Sequence, residues 1–278
     1  MTINCNGNLI DLSSPKIMGI LNVTSDSFFD GGSYTNPQSI VKQCEKLLSE
    51  GADIIDLGAY SSRPGAIDIS ESEEIAKISS ATEIILKHFP ETIISIDTFR
   101  AKVANAGIAA GAAIINDISG GDLDDKMFET VANLNVPYIL MHMKGNPQNM
   151  QTQTSYKNIT TDVNLHLSEK IAKAKSYGMN DIIIDPGFGF AKTLEQNYEL
   201  MNHLEMLHFH NLPILVGISR KSMIYKLFNS TPQEALNGTT ILNTIALQKG
   251  AHILRVHDVK EAKECITIYQ QLNSTAVK

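Results

Sequence analysis

Cysteine is scarce in this sequence, with one residue at each of positions 5, 44 and 265. These residues are far apart and odd in number, so the sequence predicts neither a disulfide framework nor a C-x-x-C metal or redox pair. The sequence also lacks any run of about 18 apolar residues. The first residues, MTINCNGNLIDL, carry no basic region followed by an apolar one. We therefore expect no membrane association and a location in the reducing cytoplasm.

Positive charge is in the minority, because 23 lysine and arginine residues face 30 aspartate and glutamate residues, for a net charge of -7. This balance offers no broad basic surface and argues against nucleic acid as a partner. An anionic substrate would have to be bound by locally concentrated cations. Apolar residues make up 43% and charged residues 19% of the 278 residues, which is typical of a folded globular protein.

Short apolar runs alternate with longer helical patterns along the whole chain, as in βαβ units with a parallel sheet. We expect the strands at residues 16–21, 53–57, 92–96, 113–115, 136–141, 181–184, 213–218 and 252–256. Eight such units predict a (β/α)8 TIM barrel of the α/β class, formed by one domain over residues 1–278. Asn6-Gly7 between two short apolar runs predicts a hairpin before the first barrel strand, at the bottom of the barrel.

Start and stop signals mark the intervening helices. Asn36 before Pro37 is typical of an N-cap, and Gly51 stands where a helix would end. Three pairs resemble capping boxes that open later helices: Thr193 with Gln196, Thr231 with Glu234, and Asp258 with Glu261.

A polar group follows every expected strand, and in a parallel barrel these ends meet at the rim that carries the active site. The residues are Asn22, Asp56, Asp97, Asn116, Asp117, His142, Asp185, Ser219, Arg220, Lys221, Arg255 and His257. Taken singly, each has a structural interpretation. Asp97 could cap the next helix, Asp185 could be a turn residue, and Asp56, Asp117 and His142 could be buried structural groups. Burying the polar groups of all eight strand ends together without a ligand would be costly, which favours a site.

The residue types fall into two sets with different chemistry. Carboxylates, an amide and a lysine suit a flat heterocycle with an amidine-like edge and a carbonyl; these are Asp97, Asn116, Asp185 and Lys221. Cations, an imidazole and a hydroxyl suit phosphate; these are Ser62, Arg63, Arg255 and His257, partly on the loops that bind phosphate in many barrels. Cysteine and histidine spacing disfavours zinc. A hard ion such as magnesium, bridging phosphate oxygens and Asn22, fits the pattern.

Seven sequence blocks resemble dihydropteroate synthase, in order and over nearly the whole chain. They are IMGILNVTSDSFFDGG from Ile17, SSRPGA from Ser61, ISIDTFR from Ile94, INDISGG from Ile115, DPGFGFAKT from Asp185, SRKSM from Ser219 and RVHDV from Arg255. This family joins p-aminobenzoate to hydroxymethyl-dihydropterin diphosphate, releases pyrophosphate and is a sulfonamide target in folate synthesis. The family is typically dimeric, so the resemblance implies a homodimer.

The resemblance also implies a role for each matching residue. Asp185 and Asn116 would bind the amino-pyrimidine edge of the pterin, Lys221 its carbonyl side, and Asp97 a ring N–H, so that Asp97, Lys221 and Asp185 become the catalytic candidates. Asn22 would contact Mg²⁺ on the diphosphate, and Ser62, Arg63, Arg255 and His257 would bind the phosphates. Loops 23–32 and 61–66 would close over p-aminobenzoate. Phe28, Pro64, Phe190 and Ser222 would border this second substrate, with its carboxylate near Ser222.

One block departs from the family pattern, which usually reads G-G-E-S-T-R-P-G after the second strand. Tyr60 stands at the glutamate position and leaves that role open, whereas Ser62 at the threonine position keeps the hydroxyl.

The implied chemistry is dissociative: loss of pyrophosphate leaves a cationic methylene that the arylamine attacks, with no covalent enzyme intermediate. Two alternatives share the barrel. A pterin-dependent methyltransferase domain would bind no diphosphate, and a non-catalytic pterin-binding paralogue would be expected to have lost Lys221 or Arg255.

Overall fold

The computed structural model describes residues 1–23, 36–60 and 69–275. Its main sheet has eight parallel strands in the order β8-β7-β6-β5-β4-β3-β10-β9. The strands are β3 (Lys16–Asn22), β4 (Ile54–Gly58), β5 (Ile94–Asp97), β6 (Ile114–Asp117), β7 (Tyr138–Met141), β8 (Ile182–Asp185), β9 (Leu215–Val216) and β10 (Ile253–Val256). A parallel bridge between Ile184 and Ile214 joins the two ends of the sheet. The predicted (β/α)8 barrel is confirmed.

All ends of the eight barrel strands lie within two residues of their predicted positions. The largest difference is at β9, where only Leu215 and Val216 of the predicted 213–218 pair as a strand. Pro213 has no N–H for a strand ladder. Its carbonyl instead accepts from Ile184 N at 2.9 Å and helps to close the barrel. Residues 217–219 leave the ladder and form part of the rim.

Helices cover the outside of the barrel. They are α1 (Pro37–Ser49), α2 (Glu71–His88), α3 (Ala101–Ala109), α4 (Met127–Leu134), α5 (Ile159–Ser176), α6 (Leu194–Asn202), α7 (Ser222–Tyr225), α8 (Leu236–Gln248) and α9 (Val259–Thr275). Short 3-10 segments lie at Met150–Thr152, Leu204–His210 and Pro232–Glu234. Across the three described ranges, every helix is too short or too polar to span a lipid bilayer.

The helix signals predicted at α1, at α6 and before α8 fold as expected, whereas the capping box at Asp258 stays a prediction. Asn36 caps α1 by accepting from Gln38 N, and Gly51 follows its end with a positive φ of 104°. Thr193 and Gln196 form a complete capping box at α6. Thr231 and Glu234 form another, at the 3-10 segment before α8. Local sequence therefore decides where these elements begin and end.

The N-terminal hairpin closes the bottom of the barrel. It pairs β1 (Thr2–Cys5) with β2 (Asn8–Asp11) around Asn6 and Gly7, both with positive φ. Ile3, Cys5 and Leu12 are buried against the inward side chains at the lower ends of the barrel strands. Asn4 N also donates to Asp181 Oδ2 at 3.1 Å. The barrel floor is thus sealed, and the opposite end remains for a site.

Strand periodicity places the polar groups above that floor. Successive inward residues on a strand lie two positions apart. The floor residues Ile54, Ile114, Ile183 and Ile253 are therefore followed inward by Asp56, Asn116, Asp185 and Arg255. The inside of the barrel therefore has an apolar layer next to the floor and a polar layer above it, which faces the mouth of the barrel.

Candidate active site

Arg255 lies at the centre of the polar layer and links carboxylates from two other strands. Its Nε donates to Asp56 Oδ2 and its Nη2 to Asp97 Oδ2, each at 2.6 Å. Burial works against a charged guanidinium, but Asp56 and Asp97 raise the pKa of Arg255 above its ordinary value. The sequence predicted Arg255 as a phosphate ligand and did not predict these two ion pairs. They fix the cation in the barrel mouth.

Asn116 is buried beside this network. Its Nδ2 donates to Asp56 Oδ2 at 3.1 Å and lies 3.3 Å from Oδ1. Because the amide nitrogen faces Asp56, the amide oxygen is the atom that Asn116 can offer to a donor on a ligand. Asp56 is fully buried and accepts from both neighbours, as its structural interpretation predicted. It orients Asn116 and Arg255.

The two carboxylate oxygens of Asp185 have different surroundings: one stabilises the turn after β8, and the other faces the mouth of the barrel. Its Oδ1 accepts from Gly187 N at 2.7 Å, so the turn interpretation is correct for one oxygen. The other, Oδ2, faces Gly217 at the end of β9, where the missing side chain leaves space. Burial raises the pKa of Asp185, while Lys221 and the Gly187 hydrogen bond oppose the rise. One carboxylate oxygen is therefore positioned for a ligand.

Lys221 stands at the edge of this space as the N-cap residue of α7. Its Nζ donates to Phe188 O at 2.6 Å and lies 4.6 Å from the centre of the Phe190 ring. Burial lowers the pKa of Lys221 to about 8, and Asp185 opposes this effect. These contacts place the ammonium of Lys221 against the loop after β8, with Asp185 as its main electrostatic partner.

Arg220 does not share the position of Lys221. Its Nε and Nη2 bind the two carboxylate oxygens of Asp258 at 2.8 and 2.7 Å. Asp258 therefore compensates the charge of Arg220 and holds this side chain away from Lys221.

His257 and Ser222 lie on the same rim. The ring Nδ1 of His257 is 3.1 Å from Ser219 Oγ, which also accepts from His257 N at 3.1 Å. These contacts orient the imidazole. Ser222 is half-buried and begins α7 directly after Lys221.

Among the other strand-end residues, the structural interpretation is wrong for Asp97 and correct for Asp117 and His142. Asp97 does not cap α3; instead Asp124 Oδ2 accepts from Ala101 N at 2.7 Å. Asp117 is structural, since it accepts from Tyr138 Oη at 2.6 Å and from the turn at Ser119 and Gly121. His142 is buried, with its Nδ1 2.9 Å from Lys192 Nζ.

Burial and ion pairing act in opposite directions on Asp97. Burial raises the pKa of Asp97 to about 7, although Arg255 lowers it. Asp97 can therefore change its protonation near neutral pH, which makes it a candidate for pH-dependent ligand binding.

The amide oxygen of Asn22 is the predicted ligand for a hard cation near the end of β3. The Asn22 Oδ1 and Asp97 Oδ2 atoms both border the open side of Gly58, at 3.5 and 3.6 Å from where its side chain would begin. Within residues 1–23, 36–60 and 69–275, no three acidic, histidine or cysteine side chains gather as a metal cage. An amide oxygen beside a diphosphate suits magnesium, which needs few protein ligands.

Phe28, Ser62, Arg63 and Pro64 lie outside the described residues, and their roles remain predictions from the sequence. Tyr60 is described. Its hydroxyl accepts from Gln148 Nε2 at 3.1 Å, and its ring meets Phe99 edge-on at 5.0 Å between centroids. Arg100 lies 5.4 Å from the same ring. Tyr60 thus ties the end of β4 to the loop after β7.

Sequence reasoning missed Lys192 and Asn197, which support the loop between β8 and α6. Lys192 Nζ donates to Gly187 O at 2.8 Å and to Phe190 O at 3.0 Å. Asn197 Oδ1 accepts from Gly189 N at 2.7 Å. A lysine after the apolar and glycine residues GFGFA was the available signal for the first of them.

Comparison with known proteins decides the family. Residues 18–257 match the family described as pterin binding enzyme. The dihydropteroate synthase of Escherichia coli K12 is 42% identical over 272 residues, which cover 97% of this chain and 96% of that one. The chain belongs to the dihydropteroate synthases of the pterin-binding enzyme family. This confirms the family that seven sequence blocks indicated, and with it that the protein is an enzyme of the transferase class.

Solved structures agree with this assignment. Yersinia pestis dihydropteroate synthase in complex with a sulfonamide drug has a TM-score of 0.93 and 41% identity, over 99% of this chain and 100% of that one. The Xanthomonas albilineans enzyme in complex with 7,8-dihydropteroate has a TM-score of 0.89 and 33% identity, over 100% of both chains. The match includes the barrel end that carries Asp97, Asp185 and Lys221.

Proposed function

We propose that this protein condenses 6-hydroxymethyl-7,8-dihydropterin diphosphate with p-aminobenzoate to form 7,8-dihydropteroate and pyrophosphate in folate biosynthesis. One observation carries the proposal: acceptors from Asp185 and Asn116 and the ammonium of Lys221 lie at the same end of the barrel, opposite the end that the hairpin closes. This donor and acceptor set matches the polar edge of a pterin. The full-length likeness to dihydropteroate synthases supports the same activity.

The contacts to the polar edge of the pterin can be inferred from which side-chain atoms already form hydrogen bonds within the protein. Asp185 Oδ1 is bonded to Gly187 N, so Oδ2 accepts from the amino-pyrimidine edge together with Asn116 Oδ1. Lys221 donates to the pterin carbonyl, and Asp97 accepts a ring N–H. Because these groups are held by neighbours before the ligand arrives, little reorganisation is needed on binding.

The leaving diphosphate would lie toward Arg255 and His257, with Ser62 and Arg63 as further ligands predicted from the sequence. Arg255 is held by Asp56 and Asp97 on one edge, and its position is therefore fixed as charge develops on the leaving group. Asn22 would hold a magnesium ion that neutralises diphosphate charge. A covalent enzyme nucleophile is not needed, because the electron-rich pterin ring stabilises the cationic methylene and the arylamine then attacks it.

Release of pyrophosphate tests the function directly. The synthase should release pyrophosphate from the pterin diphosphate and, with p-aminobenzoate present, yield dihydropteroate in equal amount. A methyltransferase domain would bind the pterin without releasing pyrophosphate, and a non-catalytic paralogue would do neither chemistry. A sulfonamide should compete with p-aminobenzoate in this assay. Release of pyrophosphate without formation of dihydropteroate would contradict the proposal.

Pterin affinity should depend on pH in a bell-shaped way, with limbs near pH 7 and pH 8. Below about pH 7 protons compete with the ring N–H for Asp97, whose pKa is about 7, so affinity falls as pH falls. Above about pH 8 Lys221 loses its charge, so affinity falls as pH rises. Calorimetry with a bare pterin should show the acid limb disappear in Asp97→Asn. An acid limb that persists in that variant would exclude Asp97.

Magnesium should be required through Asn22. Adding a chelator should abolish turnover of the diphosphate but leave binding of a bare pterin within about twofold, because only the diphosphate carries the metal. Asn22→Ala should raise the magnesium concentration that gives half-maximal rate. An unchanged magnesium requirement in Asn22→Ala would remove Asn22 from the metal site.

We also propose that the protein is a homodimer. Large apolar side chains are exposed on consecutive outer helices and the segment after α7: Leu227, Phe228, Ile241, Ile268 and Leu272. Such exposure favours an interface. Light scattering should give twice the chain mass at micromolar concentration, and Ile241→Glu should shift it toward the monomer. A monomeric parent protein would contradict the proposal.

A further inference from the structure

Lys192 is a buried lysine that the proposed chemistry does not use. Only 4% of its surface is exposed, and its Nζ reaches Gly187 O, Phe190 O and His142 Nδ1 at 2.8, 3.0 and 2.9 Å. Burial lowers the pKa of Lys192, and Asp185 opposes this effect. An ammonium can donate to all three atoms. A neutral amine can donate to the two carbonyls and accept from His142, so the contacts form in either state.

The loop that Lys192 holds has an unusual backbone. Gly187, Gly189 and Ala191 all have positive φ, at 70°, 80° and 48°. A side chain on Gly187 would overlap the backbone carbonyl of His142, so the loop passes tightly against the end of β7. For Ala191 a positive φ is unfavourable, and surrounding contacts must maintain it. The two carbonyls bound by Lys192 lie on either side of Phe188 and Gly189.

This loop in turn holds Lys221. Phe188 O accepts from Lys221 Nζ at 2.6 Å, and the Phe190 ring lies 4.6 Å from the same nitrogen. Gly189 also contacts the Lys221 side chain, since a Cβ there would lie 3.1 Å from Lys221 Cδ. Displacing the loop would therefore displace Lys221.

We propose that Lys192 is a positioning residue: it fixes the 187–191 loop so that Phe188 O and the Phe190 ring hold Lys221 in place for the pterin. The effect on ligand binding rests on the proposed function, but the effect on the loop does not. The contact between Lys192 and His142 also connects this loop to the end of β7. Lys192 itself touches no reacting atom and acts through Lys221.

Hydrogen exchange without ligand tests the loop. The amides of Gly187, Gly189 and Phe190 are bonded to Asp185 Oδ1, Asn197 Oδ1 and Gly187 O. In Lys192→Met, which keeps length and loses the polar nitrogen, these amides should exchange about tenfold faster or more. Thr193→Ala is the matched control. It removes the adjacent α6 cap and should accelerate exchange at the start of α6 while sparing the loop.

Calorimetry with a bare pterin tests the consequence. Lys192→Met should raise the Kd about tenfold or more, Lys192→Gln should recover part of this loss, and Thr193→Ala should stay within about twofold. If Lys192→Met does not fold, Lys192→Gln is compared with Thr193→Ala in both measurements. A folded Lys192 variant with a protected loop and parental Kd would overturn the proposal. If the parent bound no pterin, the proposed function would fail, and hydrogen exchange alone would then decide the role of Lys192.

Discussion

Lys221→Ala is expected to lower turnover by roughly a hundredfold or more, the effect of removing one preorganised donor from an active site. The ammonium is held by Phe188 O and the Phe190 ring, so its position is set before substrate binds. Thermal stability should be unchanged or slightly higher, because the variant no longer buries a charge. Steady-state rates and a melting curve measure both effects.

Lys226→Ala is the control for Lys221→Ala. Lys226 is an exposed lysine at the other end of α7, and its removal should leave the rate within about twofold. A stable and fully active Lys221→Ala enzyme would remove Lys221 from the site.

Asp185→Asn is expected to weaken pterin binding about tenfold or more, because an amide donor would face a donor on the ligand. The turn should survive, since an asparagine Oδ1 can still accept from Gly187 N. The loss should therefore appear in the Kd and little in the melting temperature.

Asp117→Asn makes the same exchange at a buried strand end that faces away from the mouth. It disturbs the contacts with Tyr138, Ser119 and Gly121, so it should lower the melting temperature and spare the affinity. If Asp185→Asn instead behaved like Asp117→Asn, Asp185 would be only a turn residue.

The fold could be predicted from the sequence because each element is specified locally. Runs such as IIID and ILRV are buried on both faces, and pairs such as Thr193 with Gln196 place the helix start. The alternation of strand and helix then leaves few topologies, since parallel crossovers are right-handed. The length of β9 was overestimated because a run of apolar residues does not show where pairing with the neighbouring strands stops.

The site was harder to predict, because its contacts join residues far apart in the chain. Arg255 pairs with Asp56 across 199 positions and with Asp97 across 158. Strand-end position placed these residues on one rim but did not indicate which side chains bind each other. Lys192 was missed for the same reason: its partners are carbonyls that only the folded loop brings together.

A crystal structure of this protein with a bare pterin tests the central claim most directly. We expect the amino-pyrimidine edge at Asp185 Oδ2 and Asn116 Oδ1, the carbonyl at Lys221 Nζ, and a ring N–H at Asp97. Hydrogen bonds of about 2.7–3.2 Å at these atoms would support the account. A pterin bound elsewhere, or bound in the mouth without contact to Asp185 and Lys221, would contradict it.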